Sequence, residues 1–132
     1  MKTATLENIV IAYRVLLTAK NSKMKDGDKY NMLRIRRELK KHAVEYEDYL
    51  KDVRESLKPE GFEKIEGKET LTPEEREIAK NYDRKVDECV SEMLKKEIEL
   101  DFTPLSEEGF TGLMNSNDFT FGELGVLDDL IG

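Results

Sequence analysis

The chain has 132 residues, 39% of them charged and 38% apolar, with a formal net charge of −7. That length bounds one ordinary domain, and the charge-rich, core-poor balance is that of long helices with one buried stripe each. A single cysteine, Cys89, excludes an internal disulfide, and no uncharged apolar run reaches the ~18 residues that a membrane span needs.

Thr5 reads as the N-cap of a first helix on which Leu6, Ile9, Val10, Tyr13, Leu16 and Leu17 share one face. The opening resembles a secretory signal, but Glu7 before the apolar stretch and Arg14 within it make an amphipathic helix the better reading. The polar segment Asn21 to Asp28, with Gly27, is a connection short enough to make the flanking helices antiparallel neighbours. A second helix is predicted over Lys29 to Leu57. Its stripe includes Met32, Ile35, Leu39, His42, Ala43, Tyr46, Tyr49, Leu50, Val53 and Leu57, on a rod roughly 40 Å long at about 1.5 Å per residue. Pro59 and Gly61 end it.

Phe62 to Leu71 is a connector pinned by Phe62 and Ile65, with room for a short strand. Thr72-Pro73-Glu74-Glu75 is the clearest local signal: a capping threonine, proline where no donor is needed, and a glutamate completing a capping box. The third helix carries Ile78, Ala79, Tyr82, Val86, Cys89, Val90, Met93 and Leu94 on its apolar side. Ile98, Leu100 and Phe102 then alternate with Glu99 and Asp101 as a half-buried strand that Pro104 ends. Two short helices follow. Ser106 caps the first, stapled by Leu105 and Phe110; Thr120 caps the second, with Glu123 closing its box and Phe119 stapled to Leu124.

The expected fold is therefore mainly α: an antiparallel helical hairpin plus a third helix, with a short strand and two short C-terminal helices. It forms one helical domain over 1–132, with a three-helix core in 1–96 and an acidic strand and short-helix region in 97–132.

Charge is unevenly laid out. Residues 1–58 carry 14 Lys/Arg against 9 Asp/Glu, and residues 59–132 carry 8 against 20. Separation of this kind either closes on itself within the fold, the commoner outcome, or steers a partner. The basic excess lies between Lys20 and Lys41. Its arginines and lysines wrap around the second helix, and Arg34, Arg37 and Lys41 are the candidate anion contacts.

Residues for chemistry are sparse. His42 is the one histidine and has core-edge neighbours in Leu39, Ala43 and Tyr46, with no orienting acid to be placed beside it. Cys89 falls on the apolar stripe of the third helix and reads as a small core residue. One histidine and one cysteine do not make a zinc site. Asp26-Gly27-Asp28 starts like a calcium loop, but the twelfth position is Arg37, so a turn suffices. Glu45, Glu47, Asp48 and Asp52 read as a solvated helix face. No Walker, dinucleotide-binding or nucleophile-elbow sequence is present. The expectation is no enzyme, no cofactor and no metal.

The order of segments carries a resemblance. An Arg/Lys-studded helix, Asn31-Met32-Leu33-Arg34-Ile35-Arg36-Arg37-Glu38-Leu39, runs into the acidic, tyrosine-containing Glu45-Tyr46-Glu47-Asp48-Tyr49-Leu50. A linker, a third helix, the extended Glu97-Ile98-Glu99-Leu100-Asp101 and a short helical end follow. This pattern resembles a family of small uncharacterised proteins of tailed bacteriophages and prophages, found among structural and assembly genes. The resemblance covers most of the chain and rests on order rather than on a diagnostic signature; the doubly capped C-terminus is longer than the family's. It implies a protein of the bacterial host cytoplasm or the virion, acting in assembly.

The first reading is a non-enzymatic structural, assembly or protein-interaction protein, with a phage or host protein or a second copy as partner. Phe119, Phe121, Leu127 and Ile131 are the candidate partner contacts; capping their own core is the equal alternative. The second reading is an acidic anti-defence inhibitor that mimics the charge of nucleic acid. Overall acidity and the lack of a reading motif argue against nucleic acid itself as partner.

Overall fold

The computed structural model describes residues 2–132, and the chain divides into two compact units, residues 2–46 with 95–132 and residues 47–94. In chain order the elements are β1 (Lys2–Thr5), α1 (Leu6–Leu17), α2 (Asp26–Leu57), α3 (Pro73–Leu94), β2 (Glu97–Leu100), α4 (Glu107–Ser116) and α5 (Phe121–Ile131). The fold is mainly helical with a short two-stranded antiparallel sheet, the class that the apolar periodicity predicts. No described helix is long and apolar enough to cross a membrane.

In the first unit β1 pairs antiparallel with β2, Lys2 opposite Leu100 and Thr5 opposite Glu97. Ile98 and Leu100 turn inward while Glu97 and Glu99 stay exposed, the alternation expected of a half-buried strand. Its partner is not evident from sequence: Lys2–Thr5 forms the other strand, and the strand ends at Leu100 rather than Phe102. Thr5 still caps α1, its hydroxyl accepting the Asn8 N–H at 3.3 Å. α2 begins at Asp26, three residues earlier than expected, because Asp26 and Asp28 favour the positive end of the helix dipole instead of making a turn.

The core of this unit joins Ile9, Ala12 and Leu16 of α1 to Met32, Ile35 and Leu39 of α2. Leu100, Leu105, Leu113, Leu127, Leu130 and Ile131 complete it, and no residue of α3 belongs to this cluster. Among the helices α1 packs closest on α5. The Leu105 N–H donates to the Ile131 carbonyl at 2.8 Å, tying the chain end to the segment after β2. Ser106 and Thr120 cap α4 and α5 as their spacing predicts, and Glu123 closes the box at Thr120.

α4 lies close against the connection before α2. A Cβ on Gly112 would meet the Lys23 carbonyl oxygen at 3.0 Å and the Met24 Cα at 3.2 Å. The absence of a side chain there is what allows the approach.

In the second unit, the Pro59–Gly61 break leads into a single 3₁₀ turn, Phe62–Lys64, in place of the short strand that the sequence leaves room for. Gly61 supports the turn with φ at +76°, a conformation that residues with a Cβ rarely adopt. Phe62 is buried, its ring edge-on to Tyr82 with centroids 4.8 Å apart, and the Tyr82 hydroxyl donates to the Arg54 carbonyl at 2.7 Å. The capping box forms in full. The Glu75 N–H donates to the Thr72 hydroxyl at 3.2 Å, and the Thr72 N–H to Glu75 Oε1 at 3.0 Å. Lys68 completes it with an ammonium 2.7 Å from Glu75 Oε2. On α3, Val86 and Val90 are buried but Cys89 is exposed, against the sequence reading. One residue before Val90 and three after Val86, it is turned about 60–100° away from the two buried valines.

Three outcomes follow. Gly112→Ala gains helix propensity but must displace backbone, so it lowers stability by about 1 kcal/mol net in denaturant unfolding. Gly125→Ala in α5, with open space around it, raises stability by about 0.5–1 kcal/mol. The third concerns pH. The Lys68 ammonium, followed by the Thr72 N–H, holds the Glu75 carboxyl below its ordinary value of 4.5. A carboxylate with a depressed folded-state pKa stabilises above the unfolded value, and that contribution is lost as pH falls through the folded one. Melting curves taken from pH 6 downward should therefore show a decline below about pH 4.5 that Glu75→Gln makes shallower.

Candidate functional site

On α2 the basic residues fall outside the core line as two adjoining ridges, one opposite the buried side and one along its flank. Tyr30, Arg34, Arg37 and Lys41 recur at steps of four, three and four; Lys29, Leu33, Arg36 and Lys40 do the same one residue earlier. The residues that sequence reading wraps around the helix are thus sorted into two lines, each flanked by an open cleft.

The first ridge lines a cleft with Asn31, Phe102 and Thr103, where all three candidate anion contacts come together. Asn31 builds its wall: its amide donates to the Thr103 carbonyl at 3.1 Å, fixing the segment after β2 against the helix. Glu38 and Asp101 also line it. Lys41 is held by Glu38 at 3.0 Å. Arg34 and Arg37 have no ion-pair partner among the described residues.

The second ridge faces a furrow floored by Tyr13, Leu17 and Leu33 and edged by Arg36, Arg37 and Lys40. Leu17, at the end of α1, is 51% exposed. Arg37 lines both clefts, which makes the cationic surface continuous. Beyond it, Leu33 and Arg36 border a third depression together with Lys20 and Lys29. Among the described residues, one ion pair joins the basic segment to the acidic C-terminal region, Lys25 to Glu108 at 2.6 Å, and it raises the Lys25 pKa above its ordinary value.

A clamp holds Lys20 in place. The Asn117 side chain accepts from the Lys20 N–H and donates to the Lys20 carbonyl, both at 2.7 Å, while also donating to the Leu113 carbonyl at 3.0 Å. Ser116 accepts from the Lys23 N–H at 2.8 Å and donates to the Gly112 carbonyl at 2.7 Å. Sequence reading missed this clamp. Its only signal is asparagine and serine at the end of a short helix.

The candidate partner contacts are not brought to one surface. Leu127 and Ile131 are 0% exposed and close the core of their own unit; Phe119 is half-buried against that core. Phe121, at the start of α5, is 94% exposed. His42 lies half-buried with its Nε2 3.7 Å from Glu38 Oε1, beyond hydrogen-bond reach, and without another partner. His42 and Cys89 belong to different units. Among the described residues no three His, Cys, Asp or Glu side chains are grouped to hold a metal ion.

Protein-family models, curated proteins and solved structures show no match to this chain.

Asn117→Asp tests the clamp. The carboxylate still accepts from Lys20 but faces the Lys20 and Leu113 carbonyls without a donor, at a helix end that disfavours negative charge. Stability should fall by about 1–3 kcal/mol in denaturant unfolding, with an unchanged helical circular-dichroism spectrum.

Proposed function

We propose that this chain is a non-enzymatic protein-interaction protein of the structural and assembly kind that tailed phages encode. It acts in the bacterial host cytoplasm or on the virion, and associates with a phage or host protein through the basic ridges of α2. The observation that carries this reading is that Arg34 and Arg37, with no ion-pair partner among the described residues, lie exposed on a continuous cationic surface. Like charges three and four residues apart on a helix cost about 0.2–0.5 kcal/mol per pair. Arg34 with Arg37, Arg37 with Lys40, Arg37 with Lys41 and Arg36 with Lys40 are four such pairs. A partner of opposite charge relieves them, and the cellular setting rests on the resemblance of the segment order to that of small phage proteins.

The acidic-inhibitor reading draws on a different observation. The nine acids after Lys96 share their unit with 13 Lys/Arg, so that unit is close to neutral; residues 47–94 carry 15 Asp/Glu against 9 Lys/Arg. A charge mimic would therefore act through residues 47–94, not through the C-terminal region.

Affinity capture from infected or lysogenic cells, with the wild-type chain and the double variant Arg34→Glu/Arg37→Glu, decides between them. Both positions are exposed, so the variant should melt at or slightly above the wild-type temperature. The expected result is a protein that the wild type retains and the variant loses. Retention of the same partner by the variant, or capture of nothing, overturns the proposal; retention lost only on charge reversal in 47–94 favours the inhibitor reading.

A further inference from the structure

We infer that the ridges of α2 receive an acidic protein segment that carries an apolar side chain, its carboxylates laid across Arg34, Arg37 and Lys40 and its apolar group seated over Leu17 and Leu33. The inference rests on the interaction reading above and names the chemistry of the partner. Charge complementarity is its first ground. Each ridge runs about 16 Å along the helix at 1.5 Å per residue, room for three turns of a helical segment or about five extended residues. Carboxylates on one face of such a segment meet cations repeating at three and four residues.

The floor of the furrow distinguishes protein from nucleic acid. Leu17 is half-exposed beside Tyr13 and Leu33, with Arg36, Arg37 and Lys40 along its edge. A sugar–phosphate backbone engages the rim and leaves that aliphatic floor in water. An acidic segment with a leucine or similar residue covers both, as in the recognition of amphipathic segments by grooves. Glu38 and Asp101 in the adjoining cleft repel carboxylates and phosphates alike, but a peptide has backbone N–H donors to turn toward them and a phosphodiester backbone has none.

Fluorescence anisotropy on the full chain tests this with three labelled probes: a glutamate-rich peptide bearing two leucines four residues apart, an all-glutamate peptide of equal length, and a single-stranded DNA oligonucleotide. The leucine-bearing peptide should bind about ten-fold more tightly than either other probe, the increment that one buried leucine supplies. Arg34→Glu/Arg37→Glu should abolish its binding, and Leu17→Ser should erase its advantage over the all-glutamate peptide while leaving the melting temperature near that of the wild type. Equal or tighter binding of DNA, no preference for leucine, or no binding of any probe overturns the inference. Peptide failure alongside a cellular capture that depends on Arg34 and Arg37 removes only the partner chemistry. Capture failure alongside peptide binding removes the assembly reading and leaves the surface assignment standing.

Discussion

Expulsion of water from between α1, the first half of α2 and the C-terminal segment is the interaction on which the first unit depends. Ile9, Ile35, Leu39, Leu100, Leu127 and Ile131 are fully buried, and no polar or charged residue is buried among the described ones. Each such side chain contributes about 1.5–3 kcal/mol relative to an exposed position. The acidic C-terminal region is therefore structural: without Leu113, Leu127 and Ile131 the stripe of α2 would lack its cover. The basic surface is a consequence of the same burial, because fixing Ile35 and Leu39 inward fixes Arg34, Arg36 and Arg37 outward.

The elements that sequence made legible are those governed by nearby residues. Caps at Thr5, Thr72, Ser106 and Thr120 form as their spacing predicts, since a side chain and a backbone donor three residues away decide them. β1 was not legible. Lys2-Thr3-Ala4-Thr5 has no apolar alternation, and it becomes a strand only because Glu97–Leu100 pairs with it across the chain. The beginning of α2 was misplaced because Asp-Gly-Asp satisfies turn chemistry and a helix first turn alike. Periodicity identified Leu127 and Ile131 as apolar residues needing cover but not what would cover them, so a partner and the chain's own core were equally open. The opposite error occurred at Cys89, where an apolar-compatible residue beside the stripe fell outside a buried line only as wide as Val86 and Val90.

The candidate site was half legible. Steps of three and four place Arg34, Arg37 and Lys41 on one line of any helix, and the structure keeps them there. What sequence could not supply is the surroundings: the Asn31 bond that sets the wall beside them, the Asn117 clamp on Lys20, and the exposure of Leu17. These depend on contacts between residues about 70 to 100 positions apart.

Crowding cations on one side of α2 weakens the helix by a few tenths of a kcal/mol per pair, a small cost beside the burial opposite. The fold can therefore carry the charge pattern without being shaped by it. Separating the two requirements in this way, burial on one line and charge on the next, lets the surface be specific while the core remains indifferent to what binds there. Exposed charges act over a Debye length of about 8 Å at physiological salt, so the two ridges, a few ångströms apart, act on an approaching anion as one field. The aliphatic floor at Leu17 and Leu33 acts only at contact. Long-range attraction thus sets the approach, and short-range burial selects among the anions that arrive.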